Sequence, residues 1–354
     1  MQNPFSVLES CRDLGYQNLR LYSALRQSVP IIDAAIMKII RLTGGFEVIC
    51  TERSAQEKLD NFLKNVCVNG TGQSLQSFVA SYFEQLLTYG TAIGEIVTDS
   101  LGQPYAFFNA PLENVELRRN ENGIDIDIYS KNLGRAEKVK YPELIVMSML
   151  NPDAGALCGN SLLKGLPFVA ETLMKIFRTT GSNWERLGNT RFAVTYKPSN
   201  DTLDRAYAKE RAIQVAKEWS NAMSSEKATD FVAVGDIQIK VIGAEAQIPD
   251  SEIPVRQLLE QIVAKTGLPP FLLGLSWSST ERMSSQQADA LTSELEAYRR
   301  ILTPAITKLC DTCLRLLGLP GSVNIIWDDI TLQDMVEIAR AELYGAQAEK
   351  LINN

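Results

Sequence analysis

Ile31, Ile32, Ala35, Ile36, Ile39 and Ile40 recur at helical spacing, with Asp33, Lys38 and Arg41 off that face. The pattern predicts an amphipathic helix ending near Gly44-Gly45, then a short strand over 46–50. Leu75, Phe78, Val79, Tyr82 and Leu86 mark a second helix that stops at Gly90. There the period changes to two, and 92–98 and 105–108 read as a hairpin around Asp99-Ser100-Leu101-Gly102. A second hairpin sets 115–118 against Ile124, Ile126 and Ile128 across Asn122-Gly123, a dipeptide suited to the positive φ angles of a type I′ turn. The first 150 residues are therefore expected to be α+β, with the strands in meanders rather than βαβ units.

A long helix is predicted over 161–187, where Leu162, Leu166, Val169, Leu173, Ile176 and Thr180 alternate steps of four and three. A period near 3.5 is the spacing of a seam between packed helices. Pro167 either bends this helix or marks its start. A small module follows, with a strand over 191–196, a charged helix over about 202–223, and a hairpin of 231–234 against 237–242. The next helix, 251–266, presents Val255, Leu258, Leu259, Ile262 and Val263, and Gly267-Leu268-Pro269-Pro270 stops it. Beyond a polar loop, Ala288, Leu291, Leu295, Tyr298 and Leu302 mark another long helix, which Pro304 interrupts and which resumes through Leu317. Residues 323–327 read as a strand, and Thr331, with Asp334 three residues on, caps a last helix.

At 354 residues, 45% hydrophobic and 22% charged, the chain is expected to form two or three globular domains. The count that changes the picture is histidine, which is zero. That removes Ser-His-Asp triads, Cys-His dyads, HExxH zinc sites and histidine proton shuttles at once. The 35 basic and 42 acidic side chains leave a net charge of −7, which argues against a tight grip on nucleic acid but not against letting DNA slide. Six scattered cysteines fit reduced thiols. The start, Met1-Gln2-Asn3-Pro4-Phe5, lacks the basic and apolar runs of a signal peptide, and no stretch is apolar enough to span a bilayer. The expectation is a soluble intracellular chain with no membrane partner.

Little in the sequence points to chemistry. Cys310 and Cys313 form a CxxC, but they share a helical stripe with Ile306, Leu309 and Leu317, and no further soft ligands exist to complete a zinc site. They read as core. Asp125 and Asp127 alternate with isoleucines, as on the wet face of a half-buried strand, and Asp328-Asp329 is a second acidic pair. A two-metal nuclease would need these carboxylates together. Neither GxxxxGKS/T nor GxGxxG occurs, so no nucleotide site, cofactor or metal is expected. The loop Ser276, Trp277, Ser278, Ser279, Thr280, Glu281, Arg282, Met283 is different in kind. A tryptophan in a serine-rich loop seeks a pocket or a partner.

The order of the elements resembles the portal proteins of tailed bacteriophages, the head-to-tail connector ring at the capsid vertex. Leu86-Leu87-Thr88-Tyr89-Gly90-Thr91-Ala92 with the hairpin at Asp99-Ser100-Leu101-Gly102 is similar to the family's early wing. Gly159-Asn160-Ser161-Leu162-Leu163 resembles the start of its first stem helix, and Thr266-Gly267-Leu268-Pro269-Pro270-Phe271-Leu272-Leu273-Gly274 the turn that closes the second. The helix from Ser285 to Leu302 running into Pro304 completes the match, which covers nearly the whole chain.

The resemblance implies an α+β portal fold: a wing of α/β meanders plus a long helix, a two-helix stem, a small α/β clip and a short helical crown. On this sequence the wing falls at 1–157 and 284–330, stem helix 1 at 158–188, the clip at 189–250, stem helix 2 at 251–268, the tunnel-loop region at 269–283 and the crown at 331–354. Stem packing falls to Leu162, Leu166, Val169, Leu173, Ile176, Leu258, Leu259 and Ile262, and loop 276–283 faces the DNA. The crown would be about one helix long to Asn354, either a minimal crown or a truncated form of the longer one of many relatives. The implied function is a passive conduit for double-stranded DNA in packaging and ejection, with no enzyme activity. The implied partners are about eleven further copies of the chain in a closed ring, terminase, capsid and scaffolding proteins, and a neck or adaptor protein. Such a ring would be assembled in the host bacterial cytoplasm and end in the virion. Its summed charge, on the order of −84, would offer DNA no deep electrostatic trap. The alternatives are the metal-dependent nuclease and another tail or baseplate component, which does not explain a small module inserted between two long helices.

Overall fold

The computed structural model describes residues 16–122, 125–132, 135–188, 191–197, 201–224, 236–242, 251–275 and 281–330. The chain divides into two compact units, Met1–Ala170 with Leu258–Asn354, and Glu171–Gln257.

The first unit opens with α1 (Tyr16–Ser28) and α2 (Pro30–Leu42). Pro30 stands in the first turn of α2, where its missing N–H would have had no helical acceptor. Ile32, Ala35, Ile36 and Ile39 are buried on the stripe that the sequence spacing predicts. After β1 (Phe46–Cys50) come α3 (Arg53–Asn65), the short strands β2 (Cys67–Val68) and β3 (Gly72–Gln73), and α4 (Leu75–Tyr89). The Ser74 hydroxyl caps α4 by accepting from the Ser77 N–H. Gly90 ends it at φ 81°, and a Cβ there would lie 2.5 Å from the backbone of Gly159 and Asn160. Glycine is required at this stop both by conformation and by space.

Six strands follow: β4 (Thr91–Thr98), β5 (Pro104–Asn109), β6 (Val115–Arg119), β7 (Ile126–Asn132), β8 (Arg135–Lys138) and β9 (Ile145–Met149). The two expected hairpins form, as β4–β5 and β6–β7. The five-stranded sheet runs β3-β2-β5-β4-β9 and the three-stranded sheet β6-β7-β8. Within the first of these β2 runs parallel to β5, a pairing that departs from a pure meander. Leu19, Ile93, Leu112 and Ile145 form a core cluster, with Leu117, Ile128 and Val139 packed against it.

Helix α5 spans Leu166–Gly188, starting later than the sequence spacing suggests. Pro167 is its second residue, and before it the backbone is turned at Gly165 with φ 92°. Leu162 therefore lies outside the helix, where its N–H donates to the Leu87 carbonyl. The second unit then adds β10 (Arg191–Lys197), α6 (Thr202–Ala206), α7 (Ala208–Ser224) and β11 (Asp236–Ile242). The single helix expected over 202–223 is broken at Tyr207, whose ψ of 8° leaves the helical range. β11 pairs antiparallel with β10, while the strand expected at 231–234 lies outside the described residues.

Helix α8 (Glu252–Thr266) closes at Gly267, where φ is 69° and the N–H reaches the Val263 carbonyl. The last long helix, α9, runs unbroken over Glu281–Leu316, about 54 Å at the usual rise. Pro304 sits inside it without ending it. The loss is confined to one donor for the Arg300 carbonyl. The chain next forms β12 (Val323–Trp327), which pairs antiparallel with β1 across more than 270 residues. The cap expected at Thr331 lies outside the described residues.

Arg299 fastens α9 to that ribbon. The side chain is 5% exposed, and its Nε and Nη2 donate to the Thr43 carbonyl at 2.9 and 2.6 Å, at the end of α2. Its guanidinium lies 5.1 Å from the Trp327 ring, which packs against Phe46 and donates from Nε1 to Thr303 Oγ1 at 2.9 Å. Burial lowers the Arg299 pKa, and the charges of Glu296, Asp328 and Asp329 oppose that shift. Replacing Arg299 by Met leaves the buried Thr43 carbonyl without a donor and is expected to cost about 2–4 kcal/mol. Guanidinium denaturation checks this, with Arg299→Lys, which retains charge but not the fork, falling between the two.

Candidate functional site

Three regions of the sequence carry functional expectations, and the first is the loop before α9. Ser276, Trp277, Ser278, Ser279 and Thr280 lie outside the described residues. Glu281, Arg282 and Met283 are the first turn of α9, so the loop is shorter than the sequence pattern suggests. Its approach is firmly built. Leu268 is buried, a single 3-10 turn covers Pro270–Leu273, Gly274 takes a left-handed conformation, and the Leu275 N–H returns to the Pro270 carbonyl.

The second region is the pair of patterned helices. On α5, Leu166, Ala170 and Leu173 are buried, and Val169 and Ile176 are half-buried. Continuing the same face by threes, fours and sevens brings Phe177, 49% exposed, and Trp184, 65% exposed. One apolar stripe therefore starts inside the subunit and ends in solvent. Along α8, Ile262 is buried while Leu258 and Leu259 are half-buried.

The third region comprises the acidic pairs and the CxxC. Asp127 accepts from Lys138 Nζ at 2.7 Å, and the Asp125 carboxylate accepts from Asn122 in the hairpin turn. Asp328 follows β12 beside Gly45, its N–H on the Gly45 carbonyl at 3.0 Å. Among the described residues no three Cys, Asp or Glu side chains gather into a group able to hold a metal. Cys310 and Cys313 are fully buried core residues of α9, as their stripe predicts. Burial pushes the Cys313 thiol up to about 12 and raises that of Cys310 well above its usual range. Neither is poised as a nucleophile. Among the described residues, no helix is long and apolar enough to cross a membrane.

No family model and no curated protein matches this sequence. Solved structures do match its fold. A chain in the virion of a native gene transfer agent particle superposes with a TM-score of 0.64 at 15% identity, covering 95% of this chain and 90% of that one. A chain in the neck of the native particle, computed with C12 symmetry, gives 0.59 at 16% identity, covering 92% and 88%. The chain shares the α+β fold of these particle chains. An HK97-family phage portal protein from Corynebacterium diphtheriae aligns more loosely, with a TM-score of 0.43 at 13% identity over 86% of this chain and 95% of that one.

Sequence reasoning missed the two arginines that brace this fold. Arg26 reaches Asp33 at 2.6 Å, Glu84 at 2.6 Å and Thr88 at 3.0 Å, tying α1, α2 and α4 together. Burial acts against its charge, but hydrogen bonds to Asp33 and Glu84 outweigh that effect, so its pKa is raised. Arg299 left a signal: it falls within the apolar arc marked by Leu295, Tyr298 and Leu302, where a lone cation needs a partner.

At pH 8 a thiol with a pKa near 12 is ionised in about one molecule in ten thousand. A maleimide reagent is therefore expected to leave Cys310 and Cys313 unmodified in the folded chain and to label both in guanidinium, as read by peptide mass mapping. Rapid labelling of either in the folded state would contradict the core assignment.

Proposed function

We propose that this chain is a portal subunit, one copy of a closed homo-oligomeric ring at a capsid vertex. The observation that carries the reading is a fold shared over 95% of this chain and 90% of a chain from a particle virion. In this reading the ring holds about twelve copies, in keeping with a related neck computed with C12 symmetry. The particle is its final location, and double-stranded DNA passes along its axis during packaging and ejection.

The wing is assigned to 1–157 and 284–330, the stem helices to 158–188 and 251–268, the clip to 189–250 and the crown to 331–354. The compact unit Glu171–Gln257 supports a separately folded clip region between the stem helices. The clip is the docking platform for terminase and later for the neck or adaptor protein, while capsid and scaffolding proteins surround the wing. The exposed end of the α5 stripe, at Phe177 and Trp184, supports packing of stem helices between neighbours. A head-to-tail contact of this kind closes into a ring. The net charge of −7 per copy favours weak, transient contacts with DNA over a basic groove. Catalysis by the chain itself has no part in this reading, and ATP hydrolysis belongs to the terminase.

Native mass spectrometry with negative-stain imaging tests the proposal. Closed rings of about a dozen subunits with an axial hole are expected, and Trp184→Glu is expected to shift the population to open or smaller species. A monodisperse monomer, with magnesium-dependent nuclease activity lost on Asp125→Ala, would favour the enzyme alternative. Deleting Ser278 to Glu281 is expected to leave rings intact and impair DNA packaging, measured as filled heads. Normal packaging by that deletion would remove the tunnel loop from the account.

A further inference from the structure

A cleft of about 650 Å³ in the first unit lies among β9, the start of β7 and helix α9. Every residue from Ile145 to Met149 contributes to its wall. Since successive side chains of a strand point to opposite faces, an unbroken run means that the cleft follows the strand's edge. β9 is the last strand of its five-stranded sheet.

The direction of its backbone groups follows from the register. Ile93 stands opposite Met147, yet its N–H goes to Gln85 Oε1 at 2.9 Å and its carbonyl accepts from the Ala110 N–H at 2.9 Å, both away from β9. Ile93 and Met147 are therefore a non-hydrogen-bonded pair, and the N–H and C=O of Met147 point to the open side. Met149 follows by alternation. Ile145 has the same parity, and its carbonyl accepts from Lys308 Nζ at 2.6 Å in the cleft.

A second edge opens on the same space. The Ile128 carbonyl accepts from the Val139 N–H, and β8 pairs with β7 only from Tyr129 onward. Ile126, two residues before Ile128, faces the cleft in the same sense without a β8 partner opposite. Pro304 also lines the cleft, and its missing N–H leaves the Arg300 carbonyl without a helical donor there. Among the lining residues, Lys138, Arg300 and Lys308 stand against Asp127 alone, in a chain whose net charge is −7. Ile126, Ile128, Val139, Met147 and Ile301 supply the apolar part of the wall.

We propose that this cleft takes an extended, acidic segment of another protein, which adds to the edge of β9 as a strand. The open N–H and C=O groups supply the pairing, and the excess of cations over a local apolar wall selects alternating acidic and apolar residues. The inference rests on the first unit alone and does not depend on the portal reading.

Hydrogen exchange on the full chain tests it, with an acetylated Glu/Val alternating heptapeptide as the probe. Exchange of the Met147 and Met149 amides is expected to slow about tenfold with this peptide. A Lys/Val peptide, or the Glu/Val peptide N-methylated at alternate residues, is expected to have no effect. Arg300→Glu, at an exposed position, is expected to abolish the slowing while leaving the fold intact by circular dichroism. Equal slowing by the acidic and basic peptides, or none by either, overturns the proposal. Protection of the Met147 and Met149 amides on assembly, relative to the unassembled chain and with no peptide added, would place a second copy in the cleft and also overturn it.

Discussion

The guanidinium of Arg299 meets the carbonyl of Thr43 where three distant parts of the chain converge. Helix α2 ends there, the β1–β12 ribbon begins there, and α9 passes over both. A helix of 36 residues needs such a fastening, because its own backbone bonds fix its length and not its place. The fork of Arg299 against a single carbonyl, with the Trp327 ring 5.1 Å away, supplies direction as well as energy. The charges of Glu296, Asp328 and Asp329 support the guanidinium against the cost of its burial. The fold around β1 and β12 depends on that one charge.

With α9 anchored, the proposed ring draws on the surfaces that a single copy leaves unfinished. The α5 stripe is buried at Leu166, Ala170 and Leu173 and open at Phe177 and Trp184. In the proposed ring, this exposed apolar face is where a neighbouring copy packs.

Much of this was legible in the sequence because the signals are local. The stripe Ile32, Ala35, Ile36, Ile39 gave α2 its buried face, and Gly90 and Gly267 marked the ends of α4 and α8. Three features were hidden for physical reasons. The pairing of β1 with β12 joins residues more than 270 positions apart, and alternation in one strand does not say which strand lies beside it. Pro304 is tolerated because its neighbours hold α9 in place, with Thr303 bonded both to the Arg299 carbonyl and to Trp327. Leu162 fits the α5 stripe by spacing, but Gly165 and Pro167 start the helix later. Of the candidate surfaces, the apolar stripe of α5 could be read from spacing, whereas the open edge of β9 required the register.

In the proposed ring a neighbouring copy of the chain completes the α5 stripe. An electron cryomicroscopy structure of the purified assembly tests this most directly. Phe177 and Trp184 are expected to be buried against the helices of an adjacent copy. An assembly in which both side chains remain in solvent, with its contacts elsewhere, would contradict it.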